Sequence, residues 1–218
     1  MSNMYGDKQR AFQDAFQTRK MADRLEEIIV QTEIGEVEQA FIESQPMFFL
    51  STIDHEGQPT VSYKGGAPGF VKVVDDTTIA FPSYDGNGMF YSMGNIQETR
   101  RVGLLFIDFE TPHRIRFHGE ASVSKDDPLM SEYAEAELIA RVSLSKMWVN
   151  CPRYVHRYEL KELSHYVPGQ EKKTPLAGWK RIDLVQDVLP PKDEGRPEKE
   201  GGVITIEEWM GNVQKGEG

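Results

Sequence analysis

The stretch from Met47 to Tyr63 constrains the fold more than any other. "MFFLSTI" is apolar and partly β-branched, "DHEG" is a cluster of turn formers, and "PTVSY" runs back. That pattern is a β-hairpin. A second follows, in which "GFVKVV" and "TTIAF" flank Asp75 and Asp76. "RVGLLFIDF" is a nearly unbroken apolar run, as expected of a strand buried on both faces. "HRIRFHGEASV" alternates, with Ile115 and Phe117 to one side and Arg114, Arg116 and His118 to the other. Gly119 is a candidate bulge. Hairpins at this spacing, with a few helices, predict a mainly β fold: a small β-barrel with helical decoration.

Residues 7–31 carry Phe12, Phe16, Leu25, Ile28 and Ile29 at helical spacing and predict one helix, broken at Gly35. A shorter helix is expected from Glu36 to Ser44, with Val37, Ala40 and Phe41 on one face, ending before Pro46. Asp127-Pro128 has the form of an N-cap followed by a first-turn proline and predicts a helix to about Arg141. "RYVHRYEL" predicts a last strand. Beyond Leu163, five prolines interrupt a charged stretch: Pro168, Pro175, Pro190, Pro191 and Pro197. There "PPKDEGRPEKEGG" is expected to be flexible, and "ITIEEWMGN" to form a short docking helix anchored by Trp209. The expected organisation is a helical extension over 1–45, a barrel domain over 46–162 and a Pro- and charge-rich extension over 163–218.

A net charge of −10 over 218 residues argues against a nucleic-acid binder, which must neutralise phosphates. It leaves room for a local basic pocket. One cysteine, Cys151, excludes an internal disulfide and fits a reducing compartment. No apolar run approaches the ~20 residues of a membrane span. "MSNMYGDKQR" lacks a signal-peptide core. The expectation is a soluble cytoplasmic protein.

Four stretches invite a functional reading. In "FPSYDGNGMFYSMGNI" a strand gives way to a helix through Gly86, Asn87 and Gly88. Such a turn can present backbone N–H groups to an anion. An ordinary strand-to-helix loop has the same composition. In "VSYKGGAPGF", Lys64 precedes two glycines and can reach a ligand, or it is a solvated turn lysine. In "QETRRVGLLF", either Arg100 or Arg101 can point to an anion, or both guard a strand edge. In "KMWVNCPRY", Trp148, Asn150, Cys151 and Arg153 stand together, as interface and ligand anchors do. Cys151 has Arg153 nearby to favour a thiolate, but no His–Asp pair announces a triad, and a free cysteine is more often a small buried hydrophobe. The five histidines, His55, His113, His118, His156 and His165, show neither HxH nor HExxH spacing, so no metal site is predicted.

Taken in order, "STIDHEGQPTVSY", "FPSYDGNGMFYSMGNI", "RVGLLFIDF" and "WVNCPRY" resemble the pyridoxamine 5′-phosphate oxidase-like family of FMN-binding split β-barrels, over about Pro46 to Leu160. The resemblance implies a Greek-key barrel that forms a homodimer, with FMN at the interface. It implies that the phosphate meets Ser83, Gly86, Asn87 and Asn95, with Lys64, Arg100 or Arg101 supplying a cation. Ser62, Tyr63, Lys64 and Gly65 would follow the ribityl chain and flavin edge, and Phe81 and Pro82 would line the ring. Trp148, Asn150 and Arg153 would reach across from the partner. The activity implied is that of an FMN-dependent oxidoreductase on a small molecule. No residue is identified as catalytic. A flavin carrier or sensor, a binder of F420 or haem in the same groove, and an interaction protein with an empty groove are the alternatives. The chain departs from the oxidases themselves. Its phosphate turn, "YDGNGM", holds no cation, and its C-terminus lacks their substrate-phosphate Arg and His residues. Both departures argue against vitamin B6 oxidation.

Overall fold

Two strands that are neighbours in sequence end up at opposite margins of the sheet, and this bends it. In the computed structural model, which describes residues 2, 4–169 and 173–216, the central elements are β2 (Met47–Ile53), β3 (Pro59–Gly65), β4 (Lys72–Asp75), β5 (Thr78–Tyr84), β6 (Arg101–Asp108), β7 (His113–Ser124) and β8 (Ala136–Asn150). They pair antiparallel in the order β3-β2-β6-β7-β8-β5-β4. Laid flat, the outer strands would stand about 29 Å apart. The chain from Gly65 to Lys72 reaches only about 25 Å when extended. The sheet therefore has to curl. The protein is mainly β with helical decoration.

Alternation fills the inside of the curl. On β2, Phe48, Leu50 and Thr52 are buried while their neighbours are half-exposed. Phe48 lies at the centre, its ring 4.9 Å from Phe81, 5.2 Å from Phe106 and 5.9 Å from Phe70. The β2–β3 turn closes because the Asp54 carboxylate accepts the N–H groups of Glu56 and Gln58 at 3.0 and 2.9 Å. The register of β7 on β8 shifts between His118 and Gly119, the bulge expected there. A Cβ on Gly119 would stand 2.2 Å from the Ser143 carbonyl oxygen, so only glycine fits.

Several sequence expectations are corrected. The single helix over 7–31 is two, α1 (Asp7–Ala15) and α2 (Arg19–Ile29), followed by the two-residue strand β1 (Val30–Gln31). Gln17 takes a left-handed conformation, φ 56°, and Arg19 clamps the turn onto Asp14 at 2.5 Å. α3 (Glu36–Ser44) forms as expected. β6 is not buried on both faces: Val102, Leu104 and Phe106 are buried, and the residues between them are not. After Asp127-Pro128 there is one 3₁₀ turn, Pro128–Glu132, instead of a helix to Arg141. Asp127 does cap it, accepting the Leu129 N–H, and is also gripped by Arg141. From Ala136 the chain is β8, whose backbone bonds to β5 and β7 on its two sides. That pairing overrides local helix preference. "RYVHRYEL" joins no ladder; the Tyr158 N–H donates to the Phe109 carbonyl instead.

The chain divides into two units, Met1–Leu163 and Ser164–Gly218. The second carries a short helix α5 (Arg196–Lys199) and a capped helix α6 (Ile206–Gln214). In the stretch expected to be flexible, Asp193 is buried and pairs with Lys180 from outside it at 2.7 Å, and Arg196 bonds both Asp193 and Glu200. Residues 1, 3, 170–172, 217 and 218 of the expected extensions lie outside the described residues. Among the described residues, no helix is long and apolar enough to cross a membrane.

Candidate functional site

The loop after β5 leads into α4 (Tyr91–Thr99), and α4 is tied across the β2–β3 hairpin by three side chains. The Tyr91 hydroxyl donates to the Asp54 carboxylate at 2.8 Å. Ser92 Oγ meets Ser62 Oγ of β3 at 3.1 Å. The Asn95 amide donates to Thr52 Oγ1 at 3.0 Å, and Thr52 in turn shares a hydrogen bond with Thr60. Two of the stretches singled out by sequence, "VSYK" and "GNGMFYSMGN", thus meet at one place.

The β2–β3 register pairs Leu50 with Ser62 and Phe48 with Lys64. Paired residues share a face, so Ser62 and Lys64 point the same way, toward the side on which the first turn of α4 sits. Lys64 is half-buried, and its ammonium has neither a hydrogen bond nor an ion pair among the described residues. Burial pulls its pKa below the ordinary lysine value. α4, whose first turn meets Ser62 two residues before Lys64, starts without a side-chain cap, behind a left-handed Phe90 at φ 48°. Its first amides are therefore open to an acceptor from outside. A cation without a partner among the described residues, on the side of β3 where uncapped amides lie, fits an anionic group.

The other expected residues fall into place unevenly. Asn87 is exposed, and its Oδ1 accepts the Met89 N–H at 3.0 Å, shaping the turn with Gly88 at φ 75°. Gly86 has open space around it. Ser83 is half-buried at the end of β5. Asn95 is buried and occupied by Thr52, so it supports α4 and does not face the turn. Phe81 and Pro82 do not line an open surface: both are buried, and the Phe81 ring is spent in the core against Phe48. Gly65 and Gly66 leave no slot for a flat ligand. A Cβ on Gly65 would strike the Tyr63 ring at 2.7 Å, and one on Gly66 would strike Phe70 at 2.4 Å. The protein's own rings fill that space.

Neither arginine reaches the turn. Both stand at the far end of α4, about 13 Å along its axis; Arg100 pairs with Glu120 at 3.8 Å, and Arg101 is register partner to Glu120.

The fourth stretch lies elsewhere. Successive registers link Tyr63 to Phe49, Leu105, Arg116 and Trp148, one face across five strands. Trp148 is therefore on the face opposite Lys64 and about 19 Å away along the sheet. Contrary to the expectation that it projects from the chain, Trp148 is buried, its ring edge-on to His118 at 4.8 Å. Burial, then Lys146 and Arg116, hold the His118 pKa down. Asn150 ends β8 opposite Arg114, and its Oδ1 is buried without a partner, as is Arg114 Nε. Arg153 is exposed in the following turn. Cys151 is exposed, contrary to the buried reading. Sequence reasoning missed Asp54 and Ser92, whose role depends on α4 crossing the hairpin.

The family model for pyridoxamine 5′-phosphate oxidase matches residues 34–157, which include every candidate residue above. The chain belongs to the pyridoxamine 5′-phosphate oxidase family. Within it, no curated relative matches. Among solved structures, HupZ of Group A Streptococcus is similar at 16% identity and TM-score 0.45, covering 58% of this chain and 99% of that one. An FMN-binding protein from Syntrophomonas wolfei is similar at 12% identity and TM-score 0.39, covering 64% and 97%. An F420 reductase is similar at 17% identity and TM-score 0.39, covering 50% and 94%.

Proposed function

We propose that this chain is an FMN-dependent oxidoreductase acting on a small molecule in the cytoplasm, as a homodimer, with its cofactor site within residues 46–162. The observation that carries the reading is Lys64: a half-buried ammonium without a counter-ion among the described residues, on the strand face where Ser62 meets the first turn of α4. Family membership supports FMN as the anion.

In this reading the α4 amides and the Asn87 turn receive the phosphate, and Ser62 and Ser92 offer hydroxyls. Lys64 balances negative charge on the cofactor. FMN, when bound, supplies two-electron chemistry at its flavin ring; the protein orients it and sets its electrostatics. Tyr91, Ser92 and Asn95 hold α4 against the hairpin, so the receiving amides are in position before the anion arrives. In this reading Arg153, exposed in the turn after β8, is the residue of the 148–153 stretch left to serve the site of a second copy.

The visible absorption spectrum of the purified protein tests this, repeated on the supernatant after denaturation. Released flavin bands are expected. A deazaflavin or haem spectrum would replace the cofactor, and a colourless protein that takes up no added FMN would refute the flavin reading.

A further inference from the structure

Two helices of the barrel unit contribute almost nothing to its core. No residue of α1 is buried, and in α2 only Ala22 is. The hairpin they form is held together by ion pairs, Arg10 to Asp23 and Arg19 to Asp14, both at 2.5 Å. It is rooted on the barrel through β1, where Val30 and Gln31 pair with Trp148 and Met147. Yet both helices carry apolar stripes. Phe12 on α1 and Phe16 at its C-cap are 69% and 75% exposed; Met21, Leu25 and Ile28 on α2 are 60%, 38% and 66% exposed. The spacings are i, i+4 and i, i+4, i+7, which place each set on one helix face. Helices this short do not persist in water on propensity alone, and tertiary packing normally supplies the rest.

Area decides what covers them. With about 200 Å² for each whole side chain, the five expose on the order of 600 Å². Around a two-fold axis that surface is buried twice, together with the surface it covers, or roughly 2,400 Å² in all. A stable complex needs about 1,200–2,000 Å². The β1 root joins β8 at Trp148, on the same outer sheet face as Tyr63. There Val61 and Tyr63 are 70% and 63% exposed, apolar surface able to receive a stripe.

We propose that the α1–α2 hairpin is a dimerisation arm whose apolar stripes pack on a second copy of this chain. This rests on the homodimer reading above and names the element that makes the contact.

The test uses Phe16→Glu and Ile28→Glu in the full chain, with Val37→Glu as control. Val37 is equally exposed but lies on α3, outside the stripes. Sedimentation velocity over a concentration series reads the dimer constant, and circular dichroism reads the fold. Neither arm side chain is in the core, so both variants keep a native spectrum. Each is expected to dimerise about tenfold or more weakly than wild type, while Val37→Glu dimerises normally. Arm variants that dimerise as tightly as wild type would overturn the arm and leave the homodimer standing. A wild-type monomer would overturn both, whatever its FMN content. Hydrogen exchange on wild type gives a second readout. Amides of α1 and α2 should lose protection on dilution from dimer to monomer; protection that is unchanged would show the stripes covered by their own chain and sink the proposal.

Discussion

Replacing Lys64 with Met should move stability and cofactor affinity in opposite directions. The ammonium is half-buried and has no partner among the described residues, so it costs desolvation energy without return. Methionine fills a similar volume without charge and removes that cost, so the cofactor-free variant should be at least as stable as wild type. In the proposed FMN complex the substitution removes a charge-assisted hydrogen bond, worth about 1.5–3 kcal/mol, which corresponds to about 10- to 150-fold weaker binding. Urea unfolding of the cofactor-free protein reads the first effect, and flavin fluorescence titration reads the second. The pH profile adds a third. Burial sets the free-protein pKa of Lys64 below the ordinary lysine value, and an anion raises it again. Affinity is therefore full below the free-protein pKa and falls as pH rises through it. Lys64→Met should flatten this fall. A variant that binds FMN as tightly as wild type, or whose cofactor-free form is clearly less stable, would refute the reasoning, because Lys64 would then be a structural residue.

Asn87→Asp keeps the acceptor that shapes the turn and adds a negative charge, so FMN affinity should drop about fivefold or more at low salt, from about 1 kcal/mol of repulsion; equal titration curves would remove the turn from the phosphate site. Trp148→Ala empties a buried position and should destabilise the fold by about 3–5 kcal/mol, read by thermal or urea unfolding. Asp193→Ala removes a buried carboxylate that pairs with both Lys180 and Arg196. The cost, about 3–5 kcal/mol, should appear as lost amide protection confined to 173–216.

The hairpins were legible because a period of two survives in any context. Phe48, Leu50, Ile115 and Phe117 point inward as their alternation requires. Gly119 was legible as a bulge because a glycine inside an alternating strand has few other uses. The helix expected after Pro128 was not there, since β8 pairs with β5 over 136–143 and with β7 over 139–150, a long-range effect that no local pattern records. At the site, Lys64 and the glycine turn were legible as residue types in a recognisable order. Ser62 and Ser92 are 30 positions apart, and only the crossing of α4 over β3 joins them. The glycines after Lys64 misled for the same reason: the space they leave is taken by Tyr63 and Phe70, which sequence cannot show.

The opposed placement of Lys64 and the 148–153 stretch has a consequence for genetics. If the two faces serve different sites of a dimer, damage to each belongs to a different complementation group. A population carrying only a Lys64 lesion and one carrying only a lesion at the exposed Arg153 would each be inactive. Mixed and allowed to exchange partners, half of the pairs would be hybrids, and each hybrid would hold one intact site and one doubly damaged one. About a quarter of all sites would recover function, as two-fold symmetry requires. Two inactive proteins would thus rescue each other without any change in sequence.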